Sequence, residues 1–143
     1  MSKNYWLTPP DLYARLNDEF HFNFDPCPYP RPADYNSLAI PWGTANYVNP
    51  PFLKLDAPHG GPAAFARKAI AERDAGKTSV LVLPIPWSIH LLMAAGAEIR
   101  YGGQIRWLEA DTKKPCKRNA PQVIAILKPG RPQCDDSLAG HLT

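Results

Sequence analysis

Asn49-Pro50-Pro51-Phe52 combines residue types that can act on a planar amine. An exocyclic amine such as that of adenine is a poor nucleophile, because its lone pair is conjugated into the ring. The Asn49 side-chain oxygen and the Pro50 carbonyl offer two acceptors for the two amine hydrogens. Holding both hydrogens draws the nitrogen toward tetrahedral geometry and frees the lone pair. Consecutive prolines fix the backbone, so that the carbonyl keeps one direction. Phe52 adds a flat apolar face on which a base swung out of its helix stacks; the competing reading is a rigid proline turn with Phe52 in the core.

Two further groups belong to the same argument. Phe24-Asp25-Pro26-Cys27 places a carboxylate just after an alternating stretch, where it can hold an ammonium or a ribose hydroxyl. The competing reading of Asp25 is an Asx turn before proline. Trp6-x-Thr8-Pro9-Pro10 reads first as a helix cap, and also presents Thr8 to a ligand. No G-x-G-x-x-G or Walker pattern occurs, so phosphate cradling by a glycine loop has no support. Cys27 has no histidine beside it in sequence, which argues against a thiol nucleophile.

The elements that must position these residues are legible from spacing. Leu12, Leu16 and Phe20 recur at helical intervals, which predicts a helix from Thr8-Pro9-Pro10 to about Glu19. Phe20, Phe22 and Phe24 alternate, which predicts a short strand ending at Asp25. A proline-rich loop runs from Pro26 to about Gly43, and a second short strand covers Asn46 to Asn49. Pro62 to Ala75 reads as a helix closed by Gly76. Thr78 to Leu83 reads as a strand buried on both faces. Ser88 to Ala95 is a short helix, Glu98–Tyr101 and Gln104–Leu108 are two weak strands around Gly102-Gly103, and Gln122–Leu127 is a last buried strand. Strands separated by helices predict an α/β sheet with crossover connections and an antiparallel pair at one edge.

Composition bounds the rest. A chain of 143 residues with 45% hydrophobic and 20% charged residues supports one domain with its own core, here 1–128, with a loose tail over 129–143. Proline, at 17 of 143 residues, is far above its usual share of about 5% and argues against a helical bundle. The net charge of +3 permits a polyanionic partner without requiring one. Three cysteines without C-x-x-C spacing, and four histidines without ligand spacing, predict neither a disulfide scaffold nor a metal site. The longest apolar run is too short for a membrane span, and no signal-peptide core opens the chain, so a reduced intracellular protein is expected.

Taken in order, Trp6-x-Thr8-Pro9, a helix, Phe22-x-x-Asp25-Pro26-Cys27, Trp42 followed by Val48-Asn49-Pro50-Pro51-Phe52, a helix, Val80-Leu81-x-Leu83-Pro84 and Asn119-Ala120-Pro121 form a series. The series resembles the phage-type DNA N6-adenine methyltransferases, small S-adenosylmethionine-dependent enzymes, over about Asn4 to Lys128. The resemblance implies a minimal Rossmann-like class I methyltransferase fold, with a mostly parallel sheet, one or two strands missing and no separate target-recognition domain. It implies methylation of the N6 amine of adenine in DNA, in a bacterial cytoplasm, from a phage or prophage gene. It assigns Asn49, Pro50, Pro51 and Phe52 to the target amine, and Thr8, Pro9, Asp25, Pro26 and Cys27 to S-adenosylmethionine. The chain departs from the pattern at Cys27, where a small residue is usual, and at Ile85-Pro86-Trp87. No acidic residue closes a second strand to grip the ribose, which leaves Asp34 and Asn36 as substitutes.

Lys113-Lys114-Pro115-Cys116-Lys117-Arg118 is a basic loop suited to phosphates. Arg31, Lys54, Arg67 and Lys68 extend the same surface, and Lys54 with Lys113, Lys114, Lys117 and Arg118 forms the expected nucleic-acid contact, no metal being required; the competing reading is a solvated loop. Trp42 is a candidate wall for cofactor or base, and Trp87 and Trp107 read as core. A homodimer would let so small a protein grip duplex DNA. The competing functions are a nucleic-acid-binding module without cofactor, and an amino-methyltransferase acting on RNA, cytosine or a protein glutamine.

Overall fold

The computed structural model describes residues 6–51, 60–84, 89–115 and 120–130. Its centre is the run Thr78–Pro84 (β3), whose Val80, Leu81, Val82 and Leu83 are wholly buried on alternating faces. Each such side chain contributes about 1.5–3 kcal/mol by leaving water, so this strand anchors both layers of core. Ala45–Val48 (β2) pairs parallel to β3, and the crossover between them contains the helix Pro62–Asp74, called α2 below. Ala120–Leu127 (β6) lies antiparallel on the other side of β3, and Glu98–Ile105 (β4) pairs antiparallel with β6 at the edge. The strand order is β2-β3-β6-β4.

The result is a mixed α/β sheet. The expected antiparallel edge pair is β4 with β6. The expected mostly parallel pairing is not what forms: β6 runs against both neighbours, so one of the three strand pairs is parallel and two are antiparallel. The loop between β3 and β4 carries a helix, Ile89–Ala94 (α3), and lets β4 point the same way as β3. A small antiparallel pair joins Trp6–Leu7 (β1) to Leu108–Glu109 (β5).

Two apolar layers cover the sheet. On one face α2 places Phe65, Ala66 and Ala69 against Val48, Leu81, Leu83, Val123, Ala125 and Leu127, its alanines allowing close approach. On the other, the helix Pro10–Phe20 (α1) buries Leu12 and Leu16 against Tyr47, Val80, Val82, Ile124, Ile126 and Trp107. Trp42 is 4% exposed, stacks on Phe65 and donates its indole N–H to the Ser37 carbonyl. It is a core residue and not a ligand wall.

Several local expectations change. Thr8 does not cap α1: Pro9 occupies the N-cap position without a side-chain bond. Phe20 closes α1 instead of opening a strand, His21 turns left-handed at φ 54°, and Asn17 Oδ1 accepts the Phe22 N–H. Only Phe24 joins the sheet, in a parallel bridge to Asn46. The two weak strands around Gly102-Gly103 are one strand with a bulge. Gly103 has φ 75°, and a Cβ on Gly102 would stand 3.2 Å from the Gln122 carbonyl oxygen, so the glycines keep β4 on β6 rather than turning it away. The proline-rich loop contains a 3-10 turn at Ser37–Ala39. The predicted tail, 129–143, lies outside the described residues beyond Gly130.

The α2 face carries one buried carboxylate. Glu72 accepts Lys77 Nζ at 2.8 Å, Lys68 Nζ at 2.9 Å and the Trp42 N–H at 3.1 Å. Burial opposes its charge, but these hydrogen bonds prevail and hold the carboxyl at about 2, against an ordinary 4.5. A depressed carboxyl stabilises the fold above the unfolded value and loses that contribution as pH falls through the folded value. Glu72→Gln is expected to cost about 2–3 kcal/mol in urea unfolding at pH 7. The difference from wild type should shrink between pH 4.5 and about 2. A penalty unchanged across that window would contradict the assignment.

Candidate functional site

The ends of the parallel strands create the candidate site. Parallel pairing aligns β2 with β3 from Ala45↔Thr78 to Val48↔Leu81, and the Phe24↔Asn46 bridge aligns the Asp25 segment with β2. Asp25-Pro26-Cys27 and Asn49-Pro50-Pro51 therefore leave the sheet at one rim, the carboxyl end of the strands. Backbone bonds fix the alignment: the Phe24 N–H donates to the Ala45 carbonyl at 3.2 Å, and the Tyr47 N–H to the Phe24 carbonyl at 3.0 Å. Gly43 is required below this contact. A Cβ there would meet Phe24 Cβ at 2.7 Å and Asn23 Oδ1 at 2.6 Å.

Asp25 sits in a crowded but open position. It reaches solvent, and one oxygen accepts the Cys27 N–H at 2.8 Å, the bond of the expected Asx turn. That bond takes one of about four acceptor positions on a carboxylate. Desolvation pushes the Asp25 carboxyl above its ordinary range, against the lowering effect of the Cys27 N–H. Its charge is felt by Tyr13, Tyr35 and Tyr47, all of which burial raises first and Asp25 raises further. Burial, and then Asp25, also pushes the Cys27 thiol well up, so Cys27 stays protonated and is no nucleophile.

Three tyrosines thus gather round one carboxylate. Tyr47 is the buried one, at 3% exposure, and meets Tyr13 edge-on with ring centroids 5.1 Å apart. Thr8 joins them, because its hydroxyl and the Tyr47 hydroxyl share a short hydrogen bond. Thr8 is held at Tyr47 in this way, by a side-chain bond in place of a helix cap, while Pro9 stands at the start of α1. The tyrosines were missed in the sequence because single tyrosines in apolar stretches look like core.

Pro26 is held by the loop behind it. Ser37 Oγ donates to the Pro26 carbonyl at 2.7 Å, and Trp42 Nε1 holds the Ser37 carbonyl at 2.9 Å. Asn49 is half-buried with its Oδ1 covered, Pro50 is buried and Pro51 half-buried. Gln122, 1% exposed, lies at the same rim, paired with Pro84 and Gly103.

Other expected residues fall elsewhere. Asn36 spends its side-chain oxygen on the Leu38 N–H, capping the 3-10 turn, and Asp34 is exposed in a left-handed position at φ 59°. Neither is placed as a ribose ligand. Lys113 and Lys114 lie on the turn after β5, beside Glu109 and Asp111, and Lys113 Nζ donates to the Ala110 carbonyl at 2.8 Å. Phe52, Lys54, Lys117 and Arg118 lie outside the described residues. Among the described residues no cluster of three or more His, Cys, Asp or Glu could hold a metal ion, and no helix is long and apolar enough to cross a membrane.

No family model, curated protein or solved structure matches the chain.

A carboxyl raised by desolvation costs stability once pH exceeds its unfolded value of 3.8, because the folded state then resists losing the proton. Asn in place of Asp25 keeps an acceptor for the Cys27 N–H and removes the charge. Asp25→Asn should therefore raise the melting temperature at pH 7, with the gain fading as pH falls through 3.8. A lower melting temperature at pH 7 would show that Asp25 holds the fold together instead of serving a ligand.

Proposed function

We propose that the protein transfers a methyl group from S-adenosylmethionine to the N6 amine of adenine in DNA, on a class I methyltransferase-like fold. The observation that carries this reading is the shared rim. A desolvated carboxylate on Asp25-Pro26-Cys27, just past the parallel bridge of Phe24 to β2, and the amide of Asn49-Pro50-Pro51, just past β2 itself, lie at the same end. The resemblance read from the sequence needs those two groups together, and the strand register supplies a physical reason for it.

The donor set suits a sulfonium amino acid bearing a nucleoside. Asp25 keeps acceptor capacity beyond its bond to Cys27, three tyrosines lie within its electrostatic reach, and Thr8 is bonded to one of them, Tyr47. When bound, S-adenosylmethionine supplies an electrophilic methyl with an activated leaving group. The protein's share is positioning. Once Asn49 turns its covered Oδ1 toward the rim, that oxygen and the Pro50 carbonyl each accept one hydrogen of the target amine, so the nitrogen lone pair faces the rim. The rigid Pro50-Pro51 pair keeps the two acceptors from adjusting to a wrongly placed group. The surplus proton leaves the amine to water after the nitrogen has become positive.

One observation favours the second reading, a nucleic-acid-binding module without cofactor: Asn36, a substitute ribose ligand, is committed to capping its own turn. Methyl transfer distinguishes the two. Tritiated S-adenosylmethionine is offered with DNA, RNA and bulk protein in parallel. The expected result is label in DNA, recovered as N6-methyladenine, and reduced at least a hundredfold in kcat by Asn49→Ala. Label in RNA or protein instead would move the substrate, and no label from a folded protein would leave the binding module.

A further inference from the structure

On the α1 side of the sheet a concavity opens at the β4 edge. It is a cleft of about 370 Å³ between the first turns of α1 and the end of β4, lined by Pro9, Asp11, Arg15, Gln104, Arg106 and Pro115 among others. We propose that this cleft is the seat of the DNA phosphate backbone, gripped by Arg15 and Arg106. The identity of the polyanion rests on the DNA reading above; the cleft and its charge do not.

The cleft lining and the charge inventory together single out these two residues. Arg100 is committed to Glu19 through two nitrogens at 2.7 Å and to Glu98 at 2.8 Å, and Arg73 binds Asp74 and the Ala95 carbonyl. Arg15 and Arg106 are exposed, and among the described residues neither enters a salt bridge. They face one cleft from two different elements. Asp11 is the cleft's carboxylate, and its Oδ1 accepts the Leu12 N–H in the first turn of α1. The guanidiniums therefore outnumber the acid. A guanidinium is a planar donor fork that matches phosphate oxygens, and an open one loses little by exchanging water for phosphate.

The floor under these charges is rigid. Leu12 and Ile105, which also line the cleft, belong to the buried layer with Trp107 and Val82. Pro9 links the cleft to the candidate site, since the preceding Thr8 is bonded to Tyr47 of β2. A duplex seated in the cleft thus runs past the rim that carries Asp25 and Asn49. The expected basic loop is a weaker candidate: Lys113 and Lys114 share their turn with Glu109 and Asp111.

The test is fluorescence anisotropy of a labelled DNA duplex of about 20 base pairs over a range of salt concentrations, without S-adenosylmethionine. Arg15→Gln and Arg106→Gln should each weaken binding about tenfold and lower the slope of log affinity against log salt by about 1. Arg73→Gln, on α2 across the sheet, should change neither, and circular dichroism verifies that each variant is folded. Affinity and slope unchanged in both cleft variants would overturn the proposal, as would a wild-type protein that binds no duplex or prefers an RNA duplex. The measurement involves no methyl transfer, so failure of that reaction and failure of the cleft are separate results.

Discussion

The arrangement depends on one buried side chain, Asn46. It is wholly buried within β2, and its amide is satisfied on every side. Asn46 Oδ1 accepts the Gly43 N–H at 2.8 Å, while Nδ2 donates to the carbonyls of Gly43 and Thr78 at 3.0 Å and reaches Ser79 Oγ at 3.3 Å. A buried amide is costly unless so paired, and those bonds form only in one register of β2 on β3. The same residue takes the bridge from Phe24. Asn46 therefore sets the height at which both the Asp25 segment and Asn49 leave the sheet. A slip of β2 on β3 by one residue would reverse the faces of β2 and leave the buried Asn46 amide without these partners.

The two ends of the sheet then play different parts. At the Asn46 end, polar groups are bonded and buried, and Gly43 lets the chain approach Phe24 closely. At the other end, Asp25 retains its charge in a crowded setting that works against it, with tyrosines raised by the same crowding. Groups perturbed by burial and by a neighbouring charge are where ligand chemistry is expected. The Glu72 cluster offers the contrast: its carboxylate is held by two lysines and a backbone N–H, which makes it a structural group on the α2 face.

Much of this was legible from periodicity. The helix over α1, the helix closed by Gly76 and the buried run from Val80 to Leu83 follow from spacing, because burial on a face repeats along a helix or strand. The placing of Asn49 after a strand was also readable, since Pro50 stops the pairing, whereas Asp25 follows a single bridge at Phe24 and not the strand that the alternation predicts. What spacing could not show depends on partners distant in sequence. Phe20, Phe22 and Phe24 alternate like a strand, yet the Asn17 side chain and the left-handed His21 spend that stretch on ending a helix. Gly102-Gly103 looked like a turn because a bulge needs the same residue type. Thr8 looked like a cap, and its true partner, Tyr47, lies 39 residues away. The sign of the cleft was hidden for the same reason, because Arg15 and Arg106 meet only after the sheet forms.

The most direct test of the shared rim is amide chemical-shift mapping of the protein titrated with S-adenosylmethionine. Pro26, Pro50 and Pro51 carry no amide proton, so the signal must come from Asp25, Cys27, Asn49 and the flanking Tyr47 and Thr8. Saturable shifts concentrated at those amides, and absent from α2, are the predicted result. Shifts confined to other elements, or none at all from a folded protein, would contradict the account.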